Sequence, residues 1–247
     1  MIEIKNLSVN YGKNKVLKNI NIHIKKGKIT AVIGLNASGK TTLVNCISSV
    51  VKYKGTIKID GRDLRGVKLR ERAQLVSVLH QHLPASGISV KNLVEMGRNP
   101  YVQFGRKKSD EDNTQVLLAC KKAGIENLLD KSVDALSGGE RQKAYVAMVL
   151  CQNTPVVLLD EPTTYMDKRN EKQFISLITG LCKKEKKTLV TVMHDITSAV
   201  NVCDEIIILD GGEVAFCGPI EECVNSGMVE KIFGVTKIES DSKIIYL

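Results

Sequence analysis

The chain has 247 residues, 43% of them hydrophobic and 26% charged, and a formal net charge of +9. That balance is ordinary for a soluble globular protein, and the length lets it bury a sizeable core. No apolar run approaches the ~20 residues that a membrane-spanning helix needs, and the opening MIEIKNLSVNYGK lacks the apolar stretch of a signal peptide, so a cytosolic chain is expected.

Alternating apolar and polar residues in IEIKNLSVNYG and VLKNINIHI predict antiparallel strands. KITAVIG follows as a short apolar run ending in glycine, the pattern of a buried strand. Residues 39–51 read as a helix, and GTIKIDG and LVSVLHQ as short strands. The character then changes. SVKNLVEMG, DEDNTQVLLACKKAG and ERQKAYVAMVLC have helical spacing, with hardly any strand signal between them. Strands return in PVVLLD, KTLVTVM, EIIILDGG and EVAFCG, separated by helices at 167–186 and 195–203. Strand–helix alternation at both ends predicts a mainly parallel sheet covered by helices, with the helical middle inserted into it. The expected division is an α/β core from 1–86 and 152–247, and a helical subdomain over 87–151.

Seven cysteines form no CxxC pair, which favours reduced, buried thiols over a disulfide framework or a zinc site. Basic clusters at 25–28, 68–72, 106–108 and 183–187 read first as solvated surface, and second as contacts for nucleic acid or acidic lipid.

GLNASGKTT, Gly34 to Thr42, matches the phosphate-loop pattern in full and sits between a strand and a helix, as that pattern requires. Glycines let the backbone close around phosphates, and the amides and the helix N-terminus face negative charge. Lys40 would reach the β- and γ-phosphates, and the Thr41 hydroxyl would ligate Mg²⁺. VVLLDEP places Asp160 and Glu161 at the tip of an apolar strand, where ligands bind in open α/β folds. Asp160 is the candidate for the Mg²⁺ shell, and Glu161 the candidate base for an attacking water. LSGGERQ opens a helix with a capping box, Ser137 to Glu140. Gly138 and Gly139 strip side chains from that helix start and make it a second anion-binding end. Two such ends around one full site suggest that the second closes on a partner's nucleotide.

GLNASGKTT, Gln81, LSGGE, VVLLDEP and MHD occur in the order and rough spacing of the ATP-binding cassette ATPases, and the chain resembles that family over essentially its whole length. The resemblance implies an α/β fold with a P-loop (RecA-like), mainly parallel core, N-terminal antiparallel strands and a helical insert. It implies ATP and Mg²⁺ as ligands, with Gly34, Leu35, Asn36, Ala37, Ser38, Gly39, Lys40, Thr41 and Thr42 on the phosphates. Tyr11 is similar to the aromatic that stacks on adenine, with Val16 among the same contacts. Gln81 resembles the glutamine that touches Mg²⁺ and the attacking water, and His194 the histidine on the γ-phosphate. Ser137, Gly138, Gly139, Glu140 and Asp167 would serve the ATP of the other subunit. Leu35, Ala37 and Ser38 depart from the common loop residues but offer mainly backbone. Tyr165 and Met166 depart at the dimer interface, where relatives carry small residues or leucine.

Within the family, SVKNLVEMGRNPYVQFG (Ser89 to Gly105) and GGEVAFCGPIEECVNSGMVEKIFGV (Gly211 to Val235) resemble the cassettes that serve importers of iron–siderophore complexes, haem and cobalamin. The partners implied are a second copy of the chain in an ATP-sandwich homodimer, integral membrane permease subunits, and indirectly an extracytoplasmic substrate-binding protein. The expected location is the cytoplasmic face of the membrane, as a peripheral subunit. A soluble ATPase of iron–sulfur cluster assembly is the rival reading. A nucleic-acid partner is not expected, because no aromatic binding platform accompanies the positive charge. LHQHLP offers His80 and His82 as metal ligands when read alone, but the resemblance implies that its functional residue is Gln81.

Overall fold

The computed structural model describes residues 1–102, 108–164, 166–240 and 243–247. Tyr165, one of the two interface departures, and the last residues of the Ser89–Gly105 segment therefore lie outside the described residues. The elements run β1 (Ile2–Tyr11), β2 (Asn14–Ile24), β3 (Ile29–Gly34), α1 (Lys40–Ile47), β4 (Lys54–Ile59), β5 (Arg62–Asp63), α2 (Leu69–Leu75), β6 (Val76–Leu79), α3 (Val90–Met96), α4 (Asp110–Ala123), α5 (Gly138–Gln152) and β7 (Val156–Asp160). They continue with α6 (Lys168–Glu185), β8 (Thr188–Val192), α7 (Ile196–Val202), β9 (Glu205–Asp210), β10 (Glu213–Pro219), α8 (Ile220–Asn225), α9 (Met228–Phe233), β11 (Lys237–Ser240) and β12 (Lys243–Tyr246).

The central sheet has the order β10-β9-β3-β8-β7-β6, parallel from β9 to β6 and closed by antiparallel β10. β7 and β8 are buried at every position, so VVLLD and TLVTV are covered on both faces; they are mainly apolar, with Thr188, Thr191 and the terminal Asp160 as buried polar residues. The N-terminal strands form a separate antiparallel sheet, β2-β1-β4-β5. Its inner face, with Ile4, Ile20 and Ile57, meets α1 and one face of the central sheet through Val32, Leu158 and Val190. On the opposite face, Val157, Leu159 and Leu189 pack with α3, α4, α5 and α6. Neighbouring residues of one strand thus serve different cores, as the period of two demands. Ala31, Ile33 and Ile206 carry a third cluster, covered by α7, α8, α9 and β12.

Three differences from the sequence reading have physical causes. The first helix stops at Ile47 rather than 51, because Ser49 takes a left-handed conformation (φ 61°) and turns the chain toward β4. α2 lies where the sequence shows only a basic cluster; it buries no residue fully, so it carries no apolar period to detect. Strands β11 and β12 and helices α8 and α9 are each six residues or shorter and depend on the third core for their place. All seven cysteines are free, and five are buried, among them Cys46 and Cys151, whose thiols burial pushes up to about 12. No described helix is long and apolar enough to cross a membrane.

Candidate active site

Strand order assembles the site. β3, β8, β7 and β6 are neighbours and parallel, so their C-terminal ends share one edge of the sheet. The phosphate loop follows β3, His194 follows β8, Asp160 and Glu161 end β7, and Gln81 follows β6. Four motifs far apart in sequence therefore meet at one edge, with Glu161 between His194 and Gln81.

The contacts follow that order. Gln81 Nε2 donates to Glu161 Oε2 at 2.6 Å, and His194 Nε2 contacts Glu161 Oε1. Both carboxylate oxygens are held, one from each side. Glu161 itself adopts a left-handed backbone (φ 51°), a conformation rare for a residue with a side chain, found where surroundings over-determine it. Thr41 Oγ1 donates to Asp160 Oδ1 at 3.3 Å. Lys40 Nζ donates to the carbonyls of Gly34 (2.9 Å) and Leu35 (3.0 Å).

A cleft of about 300 Å³ lies over the loop. Its walls include Tyr11, Val16, Asn36, Ala37, Ser38, Gly39, Lys40, Thr41, Thr42, Glu161 and His194. Gly34 and Leu35 contribute carbonyls to Lys40 instead of wall. Asn14 also lines the cleft and was not singled out from the sequence; its place in the hairpin beside Tyr11 was the available signal. Gly39 has φ 100°, and a Cβ there would stand 2.6 Å from Leu17 Cδ2. Only glycine lets the loop lie this close to β2.

The loop's chemistry fits a phosphate-bearing ligand. Ser38 is buried, and its Oγ has no hydrogen-bond partner among the described residues. Among the described residues, the Lys40 ammonium has only neutral carbonyls within hydrogen-bond reach. Burial pulls Lys40 below the ordinary lysine range against the opposing pull of Glu161 and Asp160. Burial likewise pushes the Asp160 carboxyl up, despite the hydrogen bond from Thr41. A charge on either group is under-compensated here, and an anion at Lys40 or a cation at Asp160 would relieve it. A hydroxyl and a carboxylate are hard oxygen ligands suited to Mg²⁺.

The Ser137–Glu140 helix start stands apart from the cleft. Ser137 N and Oγ donate to Glu140 Oε2 at 3.0 and 2.7 Å, and Glu140 N donates to Ser137 Oγ at 3.4 Å. This is the complete capping box, and the Ser137 hydrogen bonds hold the Glu140 carboxyl below the usual range. Asp167 caps α6, accepting from Asn170 N at 2.7 Å. None of these residues reaches the cleft of its own chain.

The GRNPY turn that ends α3 is bolted down. Arg98, 5% exposed, pairs with Asp112 (Nε–Oδ1 2.8 Å), donates to the Cys151 carbonyl at 3.1 Å and stacks 3.9 Å over the Tyr101 ring. Tyr101 Oη donates to the Gln152 carbonyl at 2.9 Å. From the other side, Arg70 and Gln74 of α2 each donate to the Pro100 carbonyl at 2.8 Å. A Cβ on Gly97 would meet Met148 O of α5 at 2.4 Å, so glycine permits the close crossing of α3 and α5. The buried anchorage of Arg98 has no signal in the GRNPY segment itself.

The sequence profile of the family described as ABC transporter matches residues 17–164. The petrobactin import ATP-binding protein YclP of Bacillus subtilis (strain 168) is 37% identical over 238 residues, covering 96% of this chain and 94% of its own. The ferric enterobactin transport ATP-binding protein FepC of Escherichia coli (strain K12) is 36% identical over 231 residues, 93% of this chain and 85% of its own. Among solved structures, the dimeric post-hydrolysis state of the ATP-binding cassette MJ0796 bound to ADP and Pi superposes with a TM-score of 0.79 at 27% identity, over 89% of this chain and 99% of that one.

Proposed function

Since the chain belongs to the ABC transporter family, we propose that it is the ATP-binding and ATP-hydrolysing subunit of an importer that takes up an iron–siderophore complex through a separate membrane permease. That it is an ATPase of the ABC type follows from the family. The observation that carries the catalytic assignment is the Glu161 carboxylate, held by Gln81 and His194 at the rim of the phosphate-loop cleft. The import assignment is supported by the relatives' iron-chelate cargoes and by the GRNPY and C-terminal segments.

In this reading the substrate ATP lies with its base against Tyr11 and its phosphates within the loop. Lys40 leaves the Gly34 and Leu35 carbonyls for the β- and γ-phosphates, and the Ser38 hydroxyl gains an acceptor. Thr41, Asp160 and Gln81 would hold Mg²⁺, whose charge would offset that of the phosphates. Glu161 accepts the proton of the attacking water, while Gln81 and His194 aim it. Ser137, Gly138, Gly139, Glu140 and Asp167 face the other way and complete the site of a second copy. The core of 1–86 and 152–247 then holds the phosphates, and 87–151 carries the signature end and the permease-facing surface. The working location is the cytoplasmic face of the membrane, with a substrate-binding protein outside.

The test is purification with the co-purifying membrane chain, followed by uptake in proteoliposomes with iron–siderophore, haem and cobalamin in parallel. ATP-dependent uptake of the siderophore complex is expected. Uptake of haem or cobalamin alone would move the cargo, and co-purification with soluble scaffold proteins instead of a permease would overturn the importer in favour of iron–sulfur assembly.

A further inference from the structure

We infer that Gln142 is a positioning residue that ties the signature end of α5 to the Glu161 turn of the same chain, so that seating α5 on the partner's nucleotide adjusts the base at this chain's own site. The inference rests on the dimeric ATPase reading above and adds a coupling path to it.

Gln142 is 2% exposed and stands on the first turns of α5, just past the Ser137–Glu140 capping box. Its Nε2 donates to the Pro162 carbonyl at 2.6 Å. Pro162 directly follows Glu161. That turn is compact: Thr164 Oγ1 donates to the Glu161 carbonyl at 3.1 Å, and Met166 N to the Thr163 carbonyl at 3.0 Å. Glu161 sits within it in its left-handed conformation. A pull on the Pro162 carbonyl is therefore a pull on a constrained backbone one residue from the base.

The other end of the same amide points to motion. Gln142 Oε1 is buried and has no hydrogen-bond partner among the described residues. An unmet buried acceptor disfavours the arrangement that contains it. A displacement of α5 that brings a donor to Oε1 would be favoured, and Nε2 would carry it to Pro162. α5 is the element with reason to move, because its N-terminus is the end offered to the second copy. Each chain serves two sites, one with Glu161 and one with α5, and Gln142 is a buried side chain that links them.

The test is steady-state ATP hydrolysis by the full chain, wild type against Gln142→Met, which keeps length and burial and removes the amide. The expected result is a kcat about tenfold lower with KM within about twofold, and a Hill coefficient for ATP that falls toward one. ATP-driven dimerisation, measured in the Glu161→Gln background, should persist with Gln142→Met added. If the Met variant does not fold, Gln142→Asn keeps the amide but falls one methylene short of Pro162, and the same pattern is expected. Unchanged kcat and cooperativity would overturn the inference. So would a wild type without cooperativity, or a rise in KM with loss of the dimer, which marks a general packing defect. A wild type that turns over no ATP would instead overturn the ATPase reading itself.

Discussion

Replacing Asp112 by alanine tests whether the buried Arg98 network holds the helical region together. The Arg98 and Asp112 side chains are 6% and 9% exposed, so the substitution leaves a guanidinium charge without its counter-ion away from water. Breaking such a pair costs about 3–5 kcal/mol. Asp112 also accepts from Ser109 N and Oγ, both at 2.9 Å, in the capping box of α4, and losing that adds about 1 kcal/mol. For a chain of this size each kcal/mol moves Tm by roughly 2–4 °C, so a fall of at least about 8 °C is expected by thermal denaturation at neutral pH. The pH dependence has a definite sign. Burial pushes the Asp112 carboxyl up, but the hydrogen bonds from Ser109 and Arg98 outweigh it and hold it below the ordinary value. A lowered acid contributes stability that is present above the unfolded carboxylate range and lost as pH falls through the lowered value. The gap between wild type and variant should therefore close in strong acid. Arg98→Met combined with Asp112→Leu should recover more than half of the loss, since no unpaired charge remains. A Tm within about 3 °C of wild type for Asp112→Ala at neutral pH would refute the reasoning.

Glu161→Gln should lower ATP turnover at least about 100-fold and trap an ATP-bound dimer detectable by size-exclusion chromatography; near-normal turnover would remove Glu161 as the base. Asp160→Asn should abolish Mg²⁺-dependent turnover yet raise Tm at neutral pH, because burial disfavours the charged carboxylate in the free protein. For the same reason, Mg²⁺-dependent ATP affinity should begin to fall on acidification at a pH above the ordinary aspartate range, as titrations from pH 7.5 downward would show. Gly97→Ala should destabilise by roughly 1–3 kcal/mol in urea denaturation, since its Cβ meets a backbone carbonyl of α5 that has no rotamer to yield.

Local chemistry was written in the sequence wherever one short segment carries it. GLNASGKTT declares a phosphate loop because glycine spacing, lysine and threonine act within nine residues. SGGE declares its capping box, and the apolar runs VVLLD and TLVTV declare buried parallel strands, as the burial of all ten positions bears out. What needs neighbours from elsewhere in the chain was decided only by the fold. Nothing in LHQHLP says that Gln81, and not its flanking histidines, will lie 2.6 Å from Glu161; that follows from β6 pairing with β7 in register. Nothing in ERQ says that Gln142 will face Pro162, or in GRNPY that Arg98 will be buried against Asp112. α8 and α9 are six residues each, too few turns to show a period, and are held by packing in the third core, while α2 buries no residue fully and so has no apolar face to show. Sequence patterns report a residue's own segment. Strand order, a property of the whole chain, chooses which segments share an edge, and at this edge it sets one carboxylate between two hands that hold it.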